Sequence, residues 1–168
     1  MLIDDFSGHG LVSKLGNSWR GVSDRVMGGI STANLARRVL NGRPRLHLTG
    51  AVRIENGGGF IQAALHLSPP GRPFYASGFS GMRSVVSGNN EKYSVHLRTS
   101  DNVRPWQSCR AHFNASADWK TVDIPFEDFT PYRLQASLDR SRPRRIGIVT
   151  IGRTFYAALA LTELTCYI

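Results

Sequence analysis

Short runs in which apolar and polar residues alternate dominate the chain, whereas the spacing of an amphipathic helix is scarce. Alternation with a period of two is typical of strands that bury one side. Turn-forming residues such as Asn41-Gly42 separate these runs. The pattern predicts eight strands: Arg45–Ile54, Phe60–Leu67, Tyr75–Val86, Tyr93–Thr99, Trp106–Phe113, Trp119–Ile124, Arg145–Ile151 and Tyr156–Tyr167. Many short strands at this spacing predict an antiparallel β-sandwich.

Two segments between these strands, Ser31–Leu40 and Glu127–Leu134, lack a clear period. Either could hold a short helix or an irregular loop. Neither changes the prediction of an all-β fold, because both are short and lie between alternating runs.

Two consecutive strands place polar residues on one side of the predicted sheet. In the first, the polar positions alternate with Tyr93, Val95 and Leu97, and in the second with Cys109, Ala111 and Phe113. A short polar loop joins the strands, which predicts an antiparallel hairpin with one shared polar face. The side chains of this face are Ser94, His96, Arg98, Trp106, Ser108, Arg110 and His112, and Gln62 and His66 have the parity to join them.

Such a face is suited to recognition. A tryptophan such as Trp106 stacks on sugar rings or guanidinium groups, and the forked donors of Arg98 and Arg110 pair with carboxylates or phosphates. The alternative is an ordinary solvated sheet face on which a loop covers Trp106.

The run from Trp19 to Ser31, W-R-G-V-S-D-R-V-M-G-G-I-S, is the most informative in the chain. Its two adjacent glycines disfavour a helix and predict an extended segment that ends in a tight turn with positive φ. Val26 and Met27 in this run are apolar residues that we expect to be buried. We expect Asp24 and Arg25 to lie on a fixed backbone and to brace or border the polar face. Alternatively, Asp24 only caps the turn and Arg25 is solvated.

This run resembles the signature of the complex I intermediate-associated protein 30 family. Two later segments resemble the same family in the same order: G-A-V-R-I-E-N-G-G-G-F at Gly50–Phe60 and W-K-T-V-D-I-P-F-E-D-F-T-P at Trp119–Pro131. The departures are Leu48, where phenylalanine is usual, and Gly57, which replaces asparagine. The resemblance implies a single jelly-roll domain of the galactose-binding-like kind over residues 1–168. It also implies a chaperone-like role in assembling a respiratory complex.

Length and composition fit one turn-rich domain, with 168 residues that include 17 glycines. No apolar run approaches the ~20 residues of a membrane span. The first residues are acidic and resemble neither a signal peptide nor a transit peptide. The two cysteines, Cys109 and Cys166, make no disulfide framework. These features predict a cytoplasmic protein.

The formal net charge of +9 predicts an acidic partner: nucleic acid, anionic lipid head groups or an acidic protein surface. The densest basic cluster lies between Asp139 and Arg145, where a solvated loop is the simpler interpretation. Since no motif of a nucleic-acid-binding fold is visible, nucleic acid is the least favoured partner.

Catalysis has weak support in the sequence. His66, His96 and His112 could form a metal site, but no acidic or cysteine ligand has helpful spacing, so neither a metal nor a cofactor is expected. The run Gly57-Gly58-Gly59 precedes a strand, which indicates a close turn rather than a phosphate-binding loop.

The sequence therefore predicts a non-enzymatic binding module with a protein partner, and the alternative is a carbohydrate-binding module on the same face. The candidate binding residues are Asp24, Arg25, Gln62, His96, Arg98, Trp106, Arg110 and His112.

Overall fold

A computed structural model describes residues 1–69 and 71–168 and contains two antiparallel sheets that enclose one apolar core. In chain order the strands are β1 (Leu2–Asp4), β2 (Arg20–Ser23), β3 (Asn34–Leu40), β4 (Arg43–Val52), β5 (Phe60–His66), β6 (Gly81–Ser87), β7 (Glu91–Thr99), β8 (Ser108–Ala115), β9 (Lys120–Pro125), β10 (Thr130–Tyr132), β11 (Pro143–Ile151) and β12 (Phe155–Tyr167). The predicted all-β jelly-roll sandwich is confirmed.

The first sheet has the order β3-β4-β12-β6-β9, and β1 pairs with the second half of β12 beyond the end of β4. The second sheet has the order β10-β8-β7-β11-β5-β2. Most neighbouring strands are distant in sequence. In the second sheet, for example, β11 lies between β5 and β7, which both come much earlier in the chain. This order brings residues from six strands onto one outer face of the second sheet.

The core lies between the sheets because each strand alternates as predicted. Leu48, Ile61, Leu97, Ile146 and Leu159 are almost completely buried. Burial of such a side chain stabilises the fold by roughly 1.5–3 kcal/mol relative to leaving it exposed. The predicted hairpin of β7 and β8 is confirmed. The Asn41-Gly42 turn has positive φ at both residues, as a two-residue hairpin turn of this kind requires.

Three sequence predictions need correction. The strand predicted over Tyr75–Val86 begins only at Gly81, because the backbone of Ala76 bonds instead to the carbonyl of Arg140 and closes a turn with Phe79. Ser31–Leu40 holds the edge strand β3 rather than a helix. Glu127–Leu134 contains the end of a 3₁₀ turn over Phe126–Asp128, followed by the short edge strand β10.

A 3₁₀ turn over Asp24–Met27 and another over Glu55–Gly57 close one end of the sandwich. No helix of residues 1–69 and 71–168 is long and apolar enough to cross a membrane.

Candidate functional site

The outer face of the second sheet carries the polar set that alternation predicts. On β7 and β8, the side chains of His96 and Arg110 are direct cross-strand neighbours, and Ser94 lies opposite His112. Their inward neighbours, such as Val95 and Ala111, are buried in the core. The register therefore brings His96, Arg98, Arg110 and His112 together on one surface, as the sequence predicts.

Strand β11 extends this surface to β5 and β2. Arg145 lies opposite Arg98 on β7 and opposite His66 on β5. The amide of Gln62 lies over Gly147, where any larger side chain would overlap it. We call this surface the outer face, and its members are Arg20, Gln62, His66, Ser94, His96, Arg98, Ser108, Arg110, His112, Thr130, Tyr132 and Arg145.

Arg110 is held in a fixed position on the outer face. Its guanidinium carbon lies 3.5 Å from the centre of the Tyr132 ring, and its Nε donates to Ser108 Oγ at 2.9 Å. Burial lowers the pKa of Arg110, although contact with Tyr132 opposes this shift. A guanidinium stacked on an aromatic ring is ordered before any ligand arrives, so less conformational entropy is lost on binding.

His96 is an uncharged member of the face at neutral pH. Burial, reinforced by the charges of Arg110 and His112, lowers the pKa of His96 to about 3. Its Nε2 lies 3.0 Å from Ser94 Oγ, within hydrogen-bonding distance. The positive charge of the face therefore comes from its arginines.

Two further arginines lie on the central strands of the second sheet, Arg98 near the end of β7 and Arg145 near the start of β11. Arg98 donates from Nη2 to the carbonyl of Arg104 at 3.0 Å, while its buried Nε–H has no acceptor among the described residues. Burial lowers the pKa of both Arg98 and Arg145, and the nearby charges of Arg98 and Arg20 lower that of Arg145 further. No ion pair within residues 1–69 and 71–168 engages these arginines or Arg110.

Asp24 is completely buried and joins two loops at one end of the sandwich. Its carboxylate accepts hydrogen bonds from the backbone N–H and hydroxyl of Ser31, from Gly59 N at 2.6 Å and from Phe60 N at 3.3 Å. Burial opposes ionisation, but these donors outweigh it and hold the pKa of Asp24 below its usual value. Asp24 therefore braces the fold, and its hydrogen-bond partners among the described residues are not members of the outer face.

The glycines near Asp24 have a steric role. A side chain at Gly29 or Gly58 would overlap the Asp24 carboxylate, and Gly28 adopts the predicted positive φ of 89°. The signature run and the later E-N-G-G-G-F run thus meet at one buried carboxylate. The predicted close turn at the glycines before β5 is confirmed.

Two neighbours of Asp24 lie at the surface. Arg25 is exposed and donates from Nε to the carbonyl of Ser31 at 3.0 Å, which fixes it beside the turn. The expectation that Val26 and Met27 are buried is wrong, since they are 77% and 62% exposed. The 3₁₀ turn directs Asp24 inward and leaves the two apolar residues outside.

Trp106 stands at the end of the outer face rather than on a strand. It lies in the turn before β8, is 52% exposed, and its carbonyl lies 3.5 Å from Arg110 Nη2. Four members of the face were absent from the residues that the sequence predicted for it: Arg20, Thr130, Tyr132 and Arg145. Alternation along Arg145–Ile151 would have placed Arg145 outward, whereas the three-residue strand that carries Tyr132 is too short to show a period.

The histidines of the outer face do not converge on a metal site. His66 lies on β5, separated by β11 from His96 on β7, and no three metal-ligating side chains gather within the described part of the chain. The basic run before β11 is partly neutralised, because Arg142 pairs with both Asp101 and Asp139.

Comparison with known proteins agrees with this architecture. The structure resembles the family 11 carbohydrate-binding module from Clostridium thermocellum in complex with a β-1,3-1,4-mixed-linked tetrasaccharide. The TM-score is 0.74 at 13% identity, covering 99% of this chain and 94% of that one. It also resembles the family 30 carbohydrate-binding module of the cellulosomal cellulase Cel9D-Cel44B of the same organism, with a TM-score of 0.68 at 14% identity over 98% and 97% of the two chains. At such low identity these likenesses concern the fold.

No curated protein sequence gives a significant match to the chain. The model of the family described as complex I intermediate-associated protein 30, however, matches residues 6–158, which include the signature run and both later segments. The chain belongs to the complex I intermediate-associated protein 30 family.

Proposed function

We propose that the chain is a cytoplasmic, non-enzymatic binding module that helps to assemble a respiratory complex by holding an acidic segment of a protein partner on the outer face. The observation that carries this proposal is the set of four arginines on that face, Arg20, Arg98, Arg110 and Arg145, none of which has a carboxylate partner among the described residues.

Some arginines elsewhere in the molecule do have a carboxylate partner. Arg83 pairs with Asp123 on the first sheet, and Arg153 pairs with Glu91 at the end of β7. On the six strands of the second sheet, by contrast, no outward position carries Asp or Glu. A surface of one charge sign attracts a partner of the opposite sign and speeds the encounter.

Family membership supports the choice of a protein partner, since the family is described by its association with intermediates of complex I. The composition of the face supports a non-catalytic role. It has no carboxylate to act as a general base, and His96, whose pKa is lowered to about 3, is a weak base. Its ordered guanidinium groups and amides are groups that bind rather than react.

The test is affinity purification of the tagged protein from its native host, followed by mass spectrometry. The wild type is compared with the double variant Arg98→Glu/Arg110→Glu. A control, Arg38→Glu/Arg43→Glu, makes the same change of charge on β3 and β4 of the other sheet. We expect subunits of a membrane complex to be enriched with the wild type and the control and to be lost with the outer-face variant.

Circular dichroism and thermal unfolding of each variant establish that the fold is retained before capture is compared. Equal enrichment with both double variants would contradict the proposal. So would a result in which nothing is enriched over the tag alone.

A specific observation also favours a carbohydrate as the ligand of the same face. Tyr132 and Trp106 are 38% and 52% exposed at one end of it, and aromatic rings of this kind stack on sugars. One structural neighbour is described in complex with a tetrasaccharide. A glycan array with the wild type and Trp106→Ala tests this. Neutral-glycan binding that persists in high salt and is lost in the variant would favour the carbohydrate, since binding to an acidic segment is weakened by salt.

A further inference from the structure

One end of the outer face breaks a rule of sheet pairing. Arg145 on β11 and Arg98 on β7 are direct cross-strand partners. Like charges in this position destabilise a sheet, whereas opposite charges would stabilise it. The next position in the same row, on β5, is His66 rather than an acid. The row Arg98–Arg145–His66 therefore carries positive charge that no acidic side chain of the described residues pairs with.

Burial makes this arrangement more costly. Both guanidinium groups are partly removed from water, which lowers the pKa of each, and Arg20 adds a third positive charge close to Arg145. The Nε–H of Arg98 has no acceptor in the part of the chain that the structure describes, and the contact to the Arg104 carbonyl uses only Nη2. Local rules broken without internal compensation are a feature of functional sites.

Space for a ligand lies beside the row. An open cleft of about 450 Å³ is lined by Asn17, His66, Ser68 and Arg144, and His66 belongs to both the cleft and the row. The Asn17 amide donates to the carbonyls of His66 and Ser68 at 2.8 and 2.9 Å, which fixes the wall of the cleft. Among the described residues, no acidic side chain lines this cleft.

We propose that Arg20, Arg98 and Arg145, together with the cleft beside His66, form a subsite for a multiply charged oxyanion group. A forked guanidinium matches the geometry of carboxylate, sulfate and phosphate oxygens. A ligand with at least two negative charges relieves the repulsion among the three arginines. The subsite rests on the proposed function to the extent that both use the outer face.

The first experiment measures thermal unfolding of the full chain in sodium sulfate and in sodium chloride at equal ionic strength. If sulfate is present at about ten times its Kd, the wild type gains roughly 3 °C over chloride. Arg145→Gln is expected to melt at a higher temperature than the wild type in chloride, because repulsion is relieved, and to lose the gain specific to sulfate.

Arg43→Gln is the matched control, since it removes the same charge from β4 on the other sheet. It should keep the sulfate gain in full. A second variant, Arg20→Gln, tests whether the effect is confined to position 145. It should also reduce the rise in melting temperature that sulfate causes. Equal sulfate gains in the wild type and Arg145→Gln, or no gain in the wild type, would overturn the subsite.

A second arm identifies the source of the oxyanion. A short polyglutamate peptide and inorganic phosphate are titrated separately by calorimetry into the wild type and Arg145→Gln. Peptide binding that depends on Arg145 assigns the subsite to carboxylates of an acidic segment, whereas phosphate binding alone assigns it to phosphoryl groups. Failure of both in the wild type overturns the subsite.

The two proposals fail separately. Loss of partner capture by Arg98→Glu/Arg110→Glu without any anion effect at Arg145 would leave the proposed function and remove the subsite. An anion effect at Arg145 without a captured partner would support the subsite and contradict the proposed function.

Discussion

Among single residues, Asp24 has the clearest structural role. It accepts hydrogen bonds from residues 31, 59 and 60, and it needs glycine at positions 29 and 58 because its carboxylate fills the space of their side chains. The most distinctive run of the sequence therefore encodes a buried loop junction at one end of the sandwich.

Asp24→Asn should lower the free energy of unfolding by roughly 2–3 kcal/mol, because an amide nitrogen then faces backbone donors and a charged acceptor is lost. Urea denaturation at neutral pH measures the loss. Asp123→Asn is the comparison, since it removes a carboxylate from an exposed pair with Arg83 and should cost little. Equal losses in the two variants would contradict the anchoring role.

Acid should remove the contribution of Asp24. Because its pKa is lower in the folded state, the stabilisation is complete above the usual aspartate value of about 3.9 and is lost as the pH falls through the folded value. We expect the difference in stability between the wild type and Asp24→Asn to shrink over this range. A difference independent of pH would contradict this.

Among the elements, β11 determines the composition of the outer face. It lies between β7 and β5, so it places Arg145 against Arg98 and brings β5 and β2 onto the same surface as the β7–β8 hairpin. β7 in turn carries the buried His96 next to Arg110.

His96 should make the fold sensitive to mild acid. The folded state keeps the ring neutral down to a pKa of about 3, whereas the unfolded chain binds a proton near pH 6.5. Stability therefore falls as the pH drops below 6.5, with a slope of up to about 1.4 kcal/mol per pH unit. His96→Gln should flatten this slope between about pH 6.5 and 4.5, measured by urea denaturation.

The more exposed His112 provides the comparison. Burial and the charges of Lys92 and Arg110 also lower the pKa of His112, so its replacement should flatten the slope to a smaller extent. An undiminished slope in His96→Gln would show that other groups control the acid response.

The sequence could predict elements whose apolar positions alternate over enough residues. Seven to ten residues were sufficient for β4, β5, β7 and β11. β1 and β10 have three residues each and show no period, and the edge strand β3 is mostly exposed, so its burial pattern is weak. Between Tyr75 and Ser80, Ala76 and Phe79 pack against the core from a loop, which local alternation cannot distinguish from a strand.

The candidate site was predictable only in part. The β7–β8 hairpin is local, so parity alone found His96, Arg98, Arg110 and His112. The sequence indicated Arg145 only as part of a run of charged residues. Its pairing with Arg98 could not be predicted, because it depends on the order of strands far apart in sequence. The partners of Asp24 at residues 59 and 60 lie 35 and 36 positions away, beyond any local pattern.

On the scale of the whole molecule, the net charge of +9 leaves most arginines of the described residues without a carboxylate partner. Ion pairs engage Arg53, Arg83, Arg142 and Arg153, whereas the four arginines of the outer face have none. Self-repulsion of this kind maintains solubility and attracts acidic partners, and it also lowers stability.

Salt should therefore stabilise the protein. Raising sodium chloride from about 10 to 150 mM shortens the screening length from about 30 to 8 Å and weakens the repulsion, with an expected gain of about 1 kcal/mol. Urea denaturation is the suitable measurement, because guanidinium chloride is itself a salt. A loss of stability with salt would show that the exposed ion pairs outweigh the repulsion.

The position of β12 has a consequence for how the protein is made. This 13-residue strand follows all its partners in chain order, yet it holds β4 and β1 along one edge and β6 along the other. Until β12 has been synthesised, β4 and β6 have no common neighbour, and their unpaired edges are open to other chains. Long-range pairing of this kind folds slowly. The nascent chain is therefore exposed to aggregation until β12 emerges, and a premature stop before residue 155 would separate the β3–β4 pair from the β6–β9 pair.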